Sequence, residues 1–165
     1  MKKMLQRGFT LIELLVVIAI IGILAAVVLG SLNDARKGGQ DASIKQSVAN
    51  IRSQAELYYN QEGYTYTGVC DDDRIIDLLT AALEVVNGDA YVSGDEFDDL
   101  GNSTTSAAAR VAGCTDADVT YIAAAPLASN GGAYWCVDGT GASMEITSVP
   151  AAEPTTEDGF KCESY

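Results

Sequence analysis

The chain has 165 residues and not one histidine. That absence removes the Ser-His-Asp and Cys-His nucleophilic systems, imidazole metal ligands and imidazole acid–base chemistry together. Carboxylates, tyrosines and lysines alone remain for catalysis, and no grouping of them marks a reaction centre, so an enzyme is not expected. Proline is scarce too: there are three, and none precedes Pro126. Nothing in that long stretch forces a helix to stop. Basic side chains run out beyond Gly63, where eighteen Asp and Glu face only Arg74, Arg110 and Lys161. Such a surface repels nucleic acid phosphates, so direct nucleic acid binding is not expected; solubility of an exposed domain accounts for the acidity.

The four cysteines, Cys70, Cys114, Cys136 and Cys162, include no C-x-x-C pair. A zinc ribbon or dithiol redox motif therefore does not fit. An even count in a domain placed outside the cytoplasm reads as two disulfides, with three possible pairings. Joining nearest neighbours in sequence, Cys70–Cys114 and Cys136–Cys162, closes the smaller loops and is the pairing expected.

What the chain does have is a long apolar run. Leu14–Leu29 is sixteen residues without a charge, and counting from Phe9 makes it twenty-one. At ~1.5 Å per residue, such a helix reaches about 30 Å, the thickness of a bilayer core. Lys2, Lys3 and Arg7 precede the run and acidic sequence follows it. That bias predicts a single-pass protein with its N-terminus in the cytoplasm and the remainder outside. A secretory signal peptide is the rival, but its apolar region is normally ~7–15 residues and ends at a small-residue cleavage site. One residue resists the pattern. Glu13 lies inside the run, where an ionised carboxylate costs ~3 kcal/mol on the mildest insertion scale.

Beyond the run the helical period continues but turns amphipathic. Ile44, Val48, Ile51, Ala55 and Tyr58 form one stripe, and Asp41 and Lys45 are spaced for an i,i+4 pair on the surface. Gly38-Gly39 predicts a bend or local melting. One helix of ~50 residues is therefore expected, closed by Gly63. Asp71-Asp72-Asp73 predicts the cap of a second helix carrying Ile75, Ile76, Leu79, Leu83 and Val86. Gly94–Asn102 reads as an acidic loop and Ser103–Ala112 as a helical turn or two. Strands are expected at Val119–Ala125, Ala133–Val137 and Ser143–Thr147, with Asp138–Gly141 as the turn between the last two. The tail from Pro150 reads as an irregular loop tied back by Cys162. Tyr58, Tyr59, Tyr64 and Tyr66 are expected to pack the head onto the helix.

The stretch "RGFTLIELLVVIAIIGILAAVVLG" resembles the processing site and N-terminal helix of type IV pilins and pseudopilins. The elements that match are a basic leader ending in Gly8, the residues Phe9-Thr10-Leu11-Ile12-Glu13, and an unbroken apolar helix. The resemblance implies an α+β fold in which a long N-terminal helix packs on a small antiparallel β-sheet head. Residues 1–8 are then a cleaved leader, 9–62 the helix with its transmembrane half at 9–30, and 63–165 an extracellular head with two disulfides. It further implies cleavage between Gly8 and Phe9 by a prepilin peptidase, methylation of the new Phe9 amine, and assembly of a homo-oligomeric filament by machinery in the cytoplasmic membrane. Glu13 would correspond to the family glutamate that attracts the N-terminal amine of a neighbouring subunit. The filament is a type IV pilus or, alternatively, the pseudopilus of a type II secretion or DNA-uptake system.

Lesser features accompany these. Gly22, Ala26 and Gly30 recur every four residues and allow close helix packing; many major pilins carry a proline where this chain has Gly30. Asp95, Asp98 and Asp99, with Glu96, offer hard oxygen ligands for calcium, but they lack EF-hand spacing and read better as a solvated loop, so no cofactor is expected. Asn102-Ser103-Thr104 fits the N-x-[ST] glycosylation pattern.

Overall fold

The computed structural model describes residues 9–86, 90–93, 111–147 and 160–164. Helix α1 (Leu11–Gln61) runs for 51 residues. The chain divides into two compact units between Arg36 and Lys37. In the first unit the side chains of Leu11 to Leu32 are exposed along the whole apolar run. In the second, α1 buries Ile44, Val48, Ile51 and Ala55 of the expected stripe and leaves Tyr58 half-buried; Asp41, outside that stripe, is buried as well.

The helix continues through Gly38-Gly39, where the sequence predicts a bend. Two glycines cost about 2 kcal/mol relative to alanine, but tertiary anchors follow at once. Gln40 Nε2 donates to the Val85 carbonyl at 2.7 Å, and the Asp41 carboxylate accepts from the Ala128 amide at 2.6 Å and the Ser129 amide at 3.2 Å. Asp41 is thus buried instead of pairing with Lys45 on the surface. Lys45 turns to Trp135, its Nζ 4.4 Å from the ring centre. A surface pairing rule gives way here to a loop whose amides need an acceptor.

Past Gln61 the chain reverses at Gly63 and Tyr64, both left-handed, with φ of 80° and 69°. Gly68 is also left-handed, and a Cβ there would lie 2.8 Å from the Tyr58 hydroxyl, which donates to the Thr67 carbonyl. Helix α2 (Asp73–Val86) begins at Asp72, whose Oδ1 accepts from the Arg74 amide at 2.9 Å as an N-cap should. It buries Ile75, Leu79, Ala82, Leu83 and Val86.

Among the described residues five strands follow: β1 (Ala90–Ser93), β2 (Val111–Ala117), β3 (Thr120–Pro126), β4 (Tyr134–Asp138) and β5 (Ser143–Ile146). They form one sheet in sequence order, antiparallel from β2 to β5, with β1 joined parallel to β2. The parallel edge strand is not part of the antiparallel head expected from sequence. Val111 and Ala112 open strand β2 instead of ending a helical turn. Both faces of the sheet are covered. Tyr121, Ala123, Ala125 and Val137 face the two helices, while Ile122, Ala124, Cys136 and Ile146 pack with Phe160 and Cys162. Alanines on both faces of β3 let a buried strand lie close under each layer.

Two disulfides are present, Cys70–Cys114 and Cys136–Cys162. Tyr58, Tyr59 and Tyr66 pack against the helix-side core, and Tyr66 sits 5.2 Å from the buried Tyr121 ring. Tyr64 does not join them in the interior: it touches Tyr59 edge-on at 5.6 Å and stays 70% exposed.

Candidate functional site

The N-terminal end of α1 is built by a local exchange of hydrogen bonds. Thr10 precedes the first helical residue, and Glu13 stands three positions on. Glu13 Oε2 accepts from the Thr10 amide at 2.9 Å and from the Thr10 hydroxyl at 2.6 Å. The Glu13 amide donates back to Thr10 Oγ1 at 3.3 Å. This is a capping box, and it satisfies amides that every helix start leaves open. Glu13 also places its negative charge at the positive end of the helix dipole. The signature T-x-x-E is legible in Thr10-Leu11-Ile12-Glu13; reading Glu13 only as a cost inside an apolar run leaves it unused.

The box occupies one carboxylate oxygen. Glu13 Oε1 has no hydrogen-bond partner among the described residues. It can accept a further donor without disturbing the cap. Phe9 is 80% exposed beside it; Gly8 lies outside the described residues. The surroundings are apolar throughout, and no residue of the most apolar eighteen-residue window of α1 is buried. The helix is long and apolar enough to cross a membrane.

Gly22, Ala26 and Gly30 are all exposed, and a Cβ added at Gly22 or Gly30 would meet nothing within 4 Å. Nothing within the described chain requires those positions to be small. Next to Gly30, the Ser31 hydroxyl is satisfied by the Val27 carbonyl at 2.9 Å.

A second constellation holds the far end of the chain. Asp138 is fully buried, yet both its oxygens are occupied. Oδ1 accepts from the Thr140 amide and hydroxyl and from the Ala142 amide, at 2.9, 2.6 and 3.0 Å. Oδ2 accepts from the Cys162 amide at 2.8 Å. From α1, Arg52 donates to the Gly141 and Ala142 carbonyls of the same turn. One carboxylate and one guanidinium therefore fix the β4–β5 turn and, through Cys162, the disulfide-bonded C-terminal segment. Burying the Asp138 carboxylate is tolerated because donors meet both of its oxygens; Arg52 Nε, by contrast, has no partner among the described residues. Neither residue stands out in sequence, because their partners are backbone groups brought near by the fold.

Asp116 plays a similar part with less complete compensation. Its carboxylate accepts from the Gly68 amide at 2.7 Å and the Cys70 amide at 3.2 Å, yet burial pushes its pKa up. The Tyr66 phenol is pushed up to about 12 by burial and by its hydrogen bond to Glu56. These are structural groups, and among the described residues no cluster of three or more acidic or sulfur side chains could hold a metal. Asp95, Glu96, Asp98, Asp99 and Asn102 lie outside the described residues.

Comparison with known proteins finds matches over the same N-terminal stretch. A family profile described as the prokaryotic N-terminal methylation motif matches residues 3–29. A fimbrial protein of Neisseria meningitidis is 38% identical over 89 residues, covering 51% of this chain and 52% of that protein. A type IV major pilin of Neisseria gonorrhoeae is 37% identical, over 51% of this chain and 53% of its own length. The type IV wide pilus major component of Thermus thermophilus is 48% identical over 52 residues, 32% of this chain and 40% of that one. The chain thus spans about half the length, or less, of these relatives. No solved structure matches. The chain is similar to type IV pilins and carries their N-terminal methylation motif, and the matched relatives are structural proteins by name.

Proposed function

We propose that this chain is a structural subunit of a type IV pilus. A prepilin peptidase cuts it between Gly8 and Phe9, the new Phe9 amine is methylated, and residues 9–30 hold the subunit in the cytoplasmic membrane with its N-terminus inside. Assembly then moves the apolar helix from lipid into the filament core, leaving the head outside.

The observation that carries this reading is the open oxygen of Glu13 in an otherwise apolar sheath. Cleavage creates a cation at Phe9. In a water-poor filament core that amine and the free side of the Glu13 carboxylate each need a partner. Pairing between neighbouring subunits meets both needs and fixes axial register, since a subunit one step out leaves a buried charge unmatched. Thr10 keeps the other oxygen engaged, so the carboxylate is already oriented before its partner arrives. Gly22, Ala26 and Gly30 suit helix-to-helix contact in that core.

Mass spectrometry of the mature chain tests processing: the expected N-terminus is a methylated Phe9, and an intact Met1 sinks the reading. Glu13→Val tests assembly. Processing should persist while surface filaments fall sharply, and normal filaments in that variant would refute the pairing role. Two of the named relatives are a type IV major pilin and the major component of a type IV wide pilus, which favours a pilus over a pseudopilus; long, abundant filaments on the cell surface distinguish the two.

A further inference from the structure

The described basic side chains fall into two groups. Lys45 lies over Trp135, Arg52 is bound to the β4–β5 turn, Arg74 pairs with Asp72 at 2.8 Å, and Lys161 is engaged as well. Arg36 and Lys37 have no partner among the described residues. They are also the only adjacent cationic pair outside the leader in a chain of net charge −13.

A groove of about 420 Å³ runs between α1 and α2, lined by Asn50, Ser53, Gln54, Arg74, Asp77 and Leu78. Its chemistry suits a long cationic side chain. Leu78 offers an apolar floor for methylene stems. Ser53 and Gln54 present hydroxyl and amide oxygens, while the Asn50 oxygen already accepts from Gln46 Nε2 at 3.1 Å. Asp77 offers a carboxylate with no partner among the described residues, while Arg74 is already neutralised by Asp72 on two of its nitrogens.

We infer that the α1–α2 groove of one subunit receives the Arg36-Lys37 pair of a second copy of this chain, as a contact between subunits of the filament. The inference rests on the filament reading above. It adds a contact outside the apolar core, in which Arg36 and Lys37 of one copy meet Asp77 of another. Subunits of like net charge must otherwise be brought together against their own repulsion.

Cross-linking tests it with the full chain on cells. Lys37 and Ser53 lie sixteen residues apart on one helix, ~24 Å at 1.5 Å per residue, far beyond the ~7 Å limit for a disulfide within one chain. The native cysteines are all paired. Lys37→Cys with Ser53→Cys should therefore give a ladder of disulfide-linked multimers after mild oxidation of filaments, and neither single variant should. Filaments that form but yield only monomers overturn the groove contact and leave the pilus reading standing. If the unsubstituted chain forms no filament, both fall. Charge reversal is the second arm. Arg36→Glu with Lys37→Glu should lower filament yield about tenfold or more, as like charges brought together do. Adding Asp77→Lys should restore part of that loss. An unchanged yield in the first variant, or no restoration in the second, overturns the assignment.

Discussion

Helix α1 contains two halves of one secondary structure with opposite accounts of their side chains. From Leu11 to Leu32 large apolar groups face outward on every side. From Asp41 to Ala55 only one stripe is apolar, and that stripe is buried. The backbone hydrogen bonds are the same; the solvent each half requires is not. The second half finds its apolar medium within the chain, against α2 and β3. The first half finds none among the described residues, and it is long and apolar enough to cross a membrane. The contrast marks the apolar run as the surface that the described residues leave uncovered.

Three perturbations of the full chain in detergent separate the halves, read by the fluorescence of Trp135, the only tryptophan, which sits in the head. The largest effect should come from replacing both Cys70 and Cys114 by alanine. The bond spans 44 residues, and its loss costs about 4 kcal/mol in the chain-entropy account. Urea unfolding monitored at Trp135 should shift strongly, while circular dichroism should retain the signal of the apolar helix. Loss of both signals together would show that the two halves fold as one.

The second perturbation makes the same substitution in each half. Ile51→Ala leaves a cavity under the sheet and should cost 2–5 kcal/mol of head stability, the range of about 2–5 found for such truncations. Ile20→Ala, at a side chain exposed within the chain, should change the Trp135 transition by less than ~0.5 kcal/mol. Equal effects would abolish the distinction drawn between the halves.

That distinction was largely legible in sequence, because both halves announce themselves by periodicity: an all-round apolar run, then Ile44, Val48, Ile51 and Ala55 on one face. The Gly8–Glu13 motif and strands β3 to β5 were legible for similar local reasons. Strands β1 and β2 were not. The first is four residues, Ala90–Ser93, and the second, Val111–Ala117, carries Gly113 and Asp116, both poor strand formers. Parallel pairing of the two is a long-range fact that no local pattern encodes. Asp41, Arg52 and Asp138 escaped for another reason. Each binds backbone groups more than twenty residues away, in whole or in part. A carboxylate facing distant amides looks, in sequence, like any solvated one. Thr10 is the exception, since its partner is three residues on and the T-x-x-E signal was available.

The smallest predicted effect concerns acid, and it should be confined to the head. Asp116 is half-buried, and desolvation is the main reason its pKa lies above the ordinary carboxylate value; the neighbouring Asp71 charge adds to it, while the Gly68 and Cys70 amides oppose it. A carboxyl with a raised folded pKa binds its proton more readily folded than unfolded. Its contribution is full below the unfolded pKa of ~3.9 and is lost as pH rises through the folded value. Mild acidification from neutral pH should therefore raise this term. Asp72 behaves oppositely: its hydrogen bond from the Arg74 side chain lowers its pKa, so its support is present above ~3.9 and disappears as pH falls through the folded value. Asp116→Asn isolates the first term, because the amide oxygen can keep the Gly68 bond but nothing titrates. Between pH 7 and pH 5, roughly the interval above the ordinary carboxylate pKa, the urea midpoint at Trp135 should move less in Asp116→Asn than in the parent chain. Identical slopes would place the pH response on other carboxylates.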